Sequence, residues 1–327
     1  MTLGAGVTAR LIEGETLMLL RRSLVLLLPL LAIGCAAGGA RKDPSSPLAL
    51  RLGNALEAAD PNADSLILRM DSFERMAQRE DAAIGFAAGG RQAGGPRLSP
   101  AASGAAEAAG QVLMPGLTAL GDYAHGLAQL AGGEAIEPRS GPAGAMLSRA
   151  AAEGLQAVRR TSGTVPPEPV QAAGLAGIAA LSDLPDRMAT AGGVTVPAMV
   201  AEAAPHLTAV TALLRAVIGT EPGQGTRGAL RARREGLDAV QARFLAAVAA
   251  DRRLGPGERY TIFRSVAEQR EDDPAQGSFS ALVDLLGTLE AAHAALAAGA
   301  PDADQRIAAF EAAVARLGAM AEAARRG

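Results

Sequence analysis

The sequence predicts an all-α fold, an antiparallel helical bundle or two packed helical subdomains with about nine helices. Hydrophobic residues make up 49% of the 327-residue chain, but only 2% of the residues are aromatic. The core must therefore be built from Leu, Val and Ala, and alanine is the strongest helix former. Apolar residues recur at steps of three and four, and no stretch alternates with the strand period for long enough to form a sheet.

The clearest helices are two near the C-terminal end. Their apolar stripes are Phe279, Leu282, Leu286, Leu289, His293 and Leu296, then Ile307, Phe310, Val314, Leu317 and Ala321. Gly299 is expected to stop the first helix, and Asp302 is expected to cap the second. This pattern predicts an antiparallel helical hairpin.

Three other stripes predict helices with less regular spacing. The first ends at Gly132-Gly133, and the second ends at Gly255-Pro256. The helix of the third contains Pro205, which should kink or split it because proline lacks an N–H and its ring clashes with the preceding turn. The stripes are Leu117, Leu120, Ala124, Leu127 and Leu130; Leu237, Val240, Phe244 and Val248; and Leu207, Val210, Leu214 and Val217.

A targeting signal is predicted near the N-terminus, in residues 1–34. A short basic start with Arg21 and Arg22 precedes Ser23–Ile33, an apolar run that is too short for the roughly 20 residues of a membrane-spanning helix but suits a signal peptide. Because acidic Glu13 and Glu15 lie just before Met18, that residue is an alternative to Met1 as the start of translation.

Leu31-Ala32-Ile33-Gly34-Cys35 resembles the lipobox of bacterial lipoprotein precursors, and Cys35 is the only cysteine in the chain. The resemblance implies lipidation of Cys35 through a thioether, cleavage after Gly34, and an anchor in the outer membrane, since Ala36 follows the cysteine. Ile33 is less usual than Ala or Ser at its position. The alternative is an ordinary secretory peptide that is cleaved a few residues later.

The remaining chain is expected to divide into three parts. Residues 35–47 form a lipidated flexible tether, 48–160 an N-terminal helical region and 170–327 a C-terminal helical bundle. The boundary lies at Thr161–Pro169, because paired prolines interrupt helices. Residues 89–100, rich in Gly and Pro, form an exposed loop.

Charge gives no indication of nucleic-acid binding. The chain has 31 basic and 34 acidic residues, a net charge of −3, and no basic stripe, whereas phosphate neutralisation needs a basic surface. Arg231, Arg233 and Arg234 form a basic cluster, but Glu235 beside them favours a solvated helix face over a site for lipid headgroups or an anionic polymer.

Common catalytic motifs are absent: there is no G-x-S-x-G elbow, Walker phosphate loop or H-E-x-x-H motif. No cofactor is predicted. One constellation offers an alternative, since Asp122 and Glu290 each lie three residues before a histidine, His125 and His293. Di-iron bundles use Glu-x-x-His pairs of this spacing with two further carboxylates, which this sequence does not mark.

The ordinary interpretation of these residues is structural. His293 lies within an apolar stripe and is expected to be a hydrogen-bonded histidine of the core or its boundary. Tyr123 and Tyr260 are expected to pack their rings and keep their hydroxyls in water.

These observations favour a non-enzymatic envelope lipoprotein, anchored to the membrane by lipid at Cys35, with a binding, scaffold or assembly role and an envelope protein as partner. One alternative is a helical metal-binding protein that uses His125 and His293. Another is a carrier of a small apolar ligand, which would require a closed pocket lined by Leu and Val.

Overall fold

The structure is a computed structural model that describes residues 46–88, 104–137, 141–163, 165–271 and 275–326. Within these ranges the chain forms nine helices and no strand, so the all-α prediction is confirmed. The predicted signal region, Cys35, residues 36–45 and the predicted loop 89–100 lie outside the described residues. The helices are α1 (Ser46–Ala87), α2 (Ala105–Gly132), α3 (Gly144–Ser162), α4 (Glu168–Ala191), α5 (Val196–Ile218), α6 (Gly225–Ala250), α7 (Pro256–Glu271), α8 (Ala275–Ala297) and α9 (Ala303–Arg326).

The predicted C-terminal hairpin is formed by α8 and α9, which pack along each other. Every residue of the two predicted stripes is buried. Gly299 follows α8 with a φ of 59°, a left-handed conformation that suits glycine. Asp302 directly precedes α9, and its carboxylate accepts a hydrogen bond from Arg306 Nε at 3.0 Å.

Two helix boundaries and one predicted break differ from the predictions. First, α1 begins at Ser46 and includes Pro47, because a proline in the first turn gives up an N–H that has no partner within the helix. Second, α5 continues through Pro205, so the predicted split does not occur; buried Ala203 and Leu207 hold the helix in the core on both sides. Third, α6 ends at Ala250, before the predicted stop at Gly255.

Helix α2 lies at the centre of the fold and contacts α1, α3, α4, α5 and α6. α8 and α9 close the other side of α1, and α7 packs chiefly on α6. The described helices form one compact unit, and one continuous cluster of buried residues extends from α1 to α9. Helices on the two sides of Thr161–Pro169 therefore share a core, since α3 packs on α4 and α2 packs on α5.

Glycine permits the closest helix contacts. A Cβ on Gly154 of α3 would lie 2.7 Å from the backbone of Gln111 in α2, and a Cβ on Gly53 of α1 would lie 2.9 Å from the carbonyl oxygen of Ala124. Real Cβ atoms do not come this close to backbone, so α2 could not approach both neighbours so tightly with larger residues.

Two helices are long and apolar enough to cross a membrane by length and composition, namely α5 and residues 277–297 of α8. About half of each apolar window is buried inside the bundle, 44% in α5 and 50% in α8. Both helices contribute to the common core, which accounts for their apolar character.

An ion pair joins the start of α1 to α9. Arg51 binds the carboxylate of Glu311 through two nitrogens, at 2.9 and 2.7 Å, and also contacts the carboxylate of Asp304. Arg51 lowers the pKa of Glu311 by hydrogen bonding. The side chains of Arg51 and Glu311 are 39% and 37% exposed, so solvent weakens the attraction.

We expect Arg51→Lys to lower the free energy of unfolding by about 0.5–1 kcal/mol at low salt, because lysine keeps the charge but loses the two-nitrogen geometry. Urea denaturation at low and high salt measures this loss, which should shrink as salt increases. Arg316→Lys is the matched control, because Arg316 makes a single long contact of 3.7 Å to Asp284. An equal effect of both substitutions would contradict the prediction.

Candidate functional site

His293 of α8 is a buried core histidine, as predicted. It is 1% exposed, and its Nε2 lies 2.8 Å from the hydroxyl of Tyr123 on α2. Burial lowers the pKa of His293 to about 4 and raises that of Tyr123, so both groups are neutral at pH 7. The expectation that the Tyr123 hydroxyl is wet is therefore wrong, because His293 replaces water as its partner. Tyr260, by contrast, is 65% exposed.

The four residues of the alternative metal site are not brought together. The carboxylate of Asp122 accepts a 2.6 Å hydrogen bond from Ser182 of α4, and Glu290 faces Arg215 of α5 at 3.5 Å.

His125 is half-exposed, and its Nδ1 lies 3.4 Å from a carboxylate oxygen of Glu57. Among the described residues, no group of three or more His, Cys, Asp and Glu side chains could hold a metal ion. The geometry therefore does not support the metal-binding alternative, in which His125 and His293 share a site.

An open groove runs over α2, between α1 and α3. Both outer helices pack on α2, but they are not packed on each other, so a channel of about 530 Å³ remains above α2. We call this channel the α2 groove. Its floor is Gly110, Gln111, Met114 and Pro115; one wall is Ile67, Leu68, Asp71 and Arg75, and Glu107, Ala150 and Glu153 complete the lining.

Large apolar side chains are exposed in and beside the α2 groove. Leu68 is 63% exposed and Met114 is 45% exposed. Met146, which is 64% exposed, lies on α3 one turn before Ala150 of the groove lining. Complete burial of an exposed Leu or Met side chain contributes about 1.5–3 kcal/mol, so a partner that covered the remaining exposed surface of these residues would gain part of that free energy.

The charges that line the α2 groove are mostly negative. The lining contains three carboxylates, those of Asp71, Glu107 and Glu153, and one guanidinium, that of Arg75. Its net charge is therefore −2. The whole chain has a net charge of only −3. Arg75 lies 2.9 Å from the carboxylate of Asp71 and 4.0 Å from that of Glu107, so part of its charge is already compensated.

No pattern in the sequence predicted the α2 groove. Leu68 and Met114 lie beside the apolar stripes of their helices, next to buried Ile67 and Leu113. The only sequence feature that points to the groove is an apolar residue outside the buried stripe of its helix, but single exposed apolar residues are common on protein surfaces. Only the packing of α1 and α3 against α2 brings these residues to one surface.

The predicted basic cluster on α6 is a helix face with acidic partners. Arg231 pairs with Glu235 at 2.8 Å, and Arg234 lies 3.4 Å from Asp238. Arg234 also lies over the ring of Phe73, 5.9 Å from its centroid. Arg231 and Arg233 are exposed, as predicted for a solvated face, but the side chain of Arg234 is only 15% exposed because it packs against α1.

Two further grooves lie on the surface. One, of about 530 Å³, is bounded by α1, α6 and the end of α3 and includes Glu74, Asp81 and Arg233. The other, of about 540 Å³, lies between the α3–α4 connection and the α5–α6 connection. Like the α2 groove, both are open to solvent and have polar lining. None of the three is the closed Leu/Val pocket that an apolar carrier would need.

The chain was compared with protein-family models, curated proteins and solved structures, and none of the three comparisons found a match. Function is therefore inferred from the sequence and the surface geometry.

Proposed function

We propose that this protein is a lipid-anchored, non-enzymatic binding or scaffold protein of the bacterial cell envelope, which engages a protein partner through the α2 groove. The observation that carries the binding role is the groove itself, in which exposed Leu68 and Met114 lie within a lining that has a net negative charge. Exposed apolar surface bordered by polar residues is typical of protein interaction sites.

The anchor part of the proposal depends on the lipobox at Cys35. Helix α1 begins at Ser46, eleven residues after Cys35, so the intervening chain can extend at most about 40 Å. The bundle would therefore stay close to the membrane, on the periplasmic face of the outer membrane in a host that has one. Two or three acyl chains give stable attachment, at about 0.8 kcal/mol for each buried methylene group.

The anchor is tested by intact mass spectrometry of the protein extracted from membranes. We expect a mature N-terminus at Cys35 with added acyl mass, and we expect Cys35→Ala to move the protein out of the membrane fraction. A protein of unmodified mass that begins after Cys35 would instead be freely secreted, and the anchor would be rejected.

The binding role is tested by photocrosslinking in cells. A photoreactive amino acid in place of Met114 should give a discrete adduct with a partner, and the adduct should disappear when Leu68→Lys is added. Phe86→Lys is the matched control, because Phe86 is also 63% exposed but does not line the α2 groove. A crosslinking pattern that is insensitive to Leu68→Lys would contradict the binding role.

A further inference from the structure

We propose that the α2 groove binds a basic amphipathic helix of a partner protein, an inference that rests on the proposed binding role. The occupant is assigned from three properties of the groove: its helical walls, its exposed apolar residues and its negative charge. Each property restricts the chemistry of the partner.

The walls favour a helix. The floor and both sides of the groove are helices, and the described residues contain no strand whose edge could pair with an extended peptide. An extended peptide would therefore leave its backbone N–H and C=O groups without protein partners, whereas a helix satisfies most of these groups internally. A helix placed between α1 and α3 would pack as an additional member of the bundle.

The apolar residues require the bound helix to be amphipathic. Leu68 on the wall and Met114 on the floor present adjacent apolar surface, and Met146 extends it along α3. An unbranched methionine side chain can fit apolar residues of different shapes. One stripe of the partner helix would bury these side chains, and the opposite stripe would face water.

The charge requires the bound helix to be basic. Asp71, Glu107 and Glu153 outnumber Arg75, so Lys or Arg residues at the borders of the apolar stripe would meet complementary charge. A second copy of this chain fits less well. Its exposed helix α7 carries Tyr260 and Phe263, but its charges cancel. Among the side chains of α7 that the structure describes, Arg259 and Arg264 are balanced by Glu258 and Glu268.

The test uses the purified full chain and a fluorescent synthetic helix of about 18 residues, five turns long, with Leu on one face and Lys on the other. Matched probes carry Glu in place of Lys, or the same Leu and Lys residues in shuffled order. We expect the ordered Lys helix to bind at least about tenfold more tightly than either matched probe at low salt. The ratio of the protein's affinities for the Lys helix and the Glu helix should decrease as salt is added.

Two variants examine the walls and the floor. We expect Leu68→Gln combined with Met114→Gln to weaken binding of the Lys helix about tenfold. Glu107→Lys combined with Glu153→Lys should reverse the preference in favour of the Glu helix. The control combines Tyr260→Gln with Phe263→Gln on α7, which removes two aromatic residues that are at least 59% exposed, and it should leave binding unchanged.

Equal binding of the Lys and Glu helices, or weaker binding by the α7 control, would overturn the proposal. Self-association in the ultracentrifuge that is lost with Leu68→Gln and Met114→Gln would assign the groove to a second copy and would also overturn it. If Met114 forms its adduct in cells but the charge preference is absent, the basic helix is rejected while the binding role stands. If the preference holds without an adduct, the cellular binding role is rejected instead.

Discussion

Acidification from pH 7 to pH 4 should lower the free energy of unfolding by about 3 kcal/mol through His293 alone. Burial lowers the pKa of His293 from 6.5 to about 4 in the folded chain. Between these two pH values the unfolded chain binds a proton that the folded chain does not bind. Stability is therefore complete above pH 6.5 and decreases as the pH falls toward 4. Urea denaturation at a series of pH values measures this slope.

The variant His293→Gln isolates this contribution. Glutamine does not titrate and can still hydrogen-bond the Tyr123 hydroxyl, so we expect a loss of about 1 kcal/mol at pH 7 but a flatter decline on acidification. Asp60 and Asp64 have raised pKa values because of burial, and their protonation favours the folded chain at low pH. The original chain and the His293→Gln variant both contain these two carboxylates, so the effect of the carboxylates cancels when the two stability curves are compared.

The control for this experiment is His125→Gln, which changes a half-exposed histidine. Its free energy of unfolding should decrease on acidification as much as that of the original chain. Parallel stability curves for the original chain and His293→Gln would show that the buried histidine does not cause the acid sensitivity.

Local patterns predicted much of the fold. The stripes of α8 and α9 could be identified because the buried face of a helix repeats every three or four residues, whatever it packs against. Gly299 marked the end of α8 for an equally local reason, since few other residues adopt a left-handed conformation. The continuity of α5 through Pro205 was not predicted, because core packing on both sides of the proline outweighs its local cost.

The polar contacts inside the bundle could not be predicted because their partners are far apart in sequence. Tyr123 and His293 are separated by 170 residues, and Asp122 and Ser182 by 60. The Asp-x-x-His spacing of Asp122 and His125 indicates only that both residues lie on one side of a helix. It could not show that Asp122 turns to Ser182 while His125 faces Glu57.

The start of α2 depends on a distant carboxylate, which the sequence also did not reveal. The residue before α2 is Gly104, which has no side chain to cap the helix. Instead, Glu74 of α1 accepts hydrogen bonds from the backbone N–H groups of Ala105 and Ala106, at 3.0 and 2.9 Å. Glu74 is only 5% exposed. This contact fixes the start of the floor helix against α1, and the α2 groove lies between α1 and α3 above that floor.

We expect Glu74→Ala to lower the free energy of unfolding by about 3 kcal/mol, because it removes two charge-assisted hydrogen bonds and leaves two N–H groups at a buried helix start without their acceptor. Glu74→Gln should lose less, since an amide oxygen can still accept. Chemical denaturation gives these values. Glu107→Ala is the control, because Glu107 lies in the first turn of α2, near the helix dipole, and should contribute only about 0.3–1 kcal/mol.

A substitution at Gly104 tests the contact between Glu74 and the start of α2 without changing Glu74. A Cβ on Gly104 would lie 2.0 Å from the Glu74 carboxylate, so Gly104→Ala should displace Glu74 and destabilise the chain even though Glu74 is unchanged. Once Glu74 is alanine, the added methyl group meets no carboxylate, and Gly104→Ala should cost little. The two losses should therefore not add in the double variant. Additive losses would mean that Glu74 and Gly104 act separately, and Glu74 would not be the cap of α2.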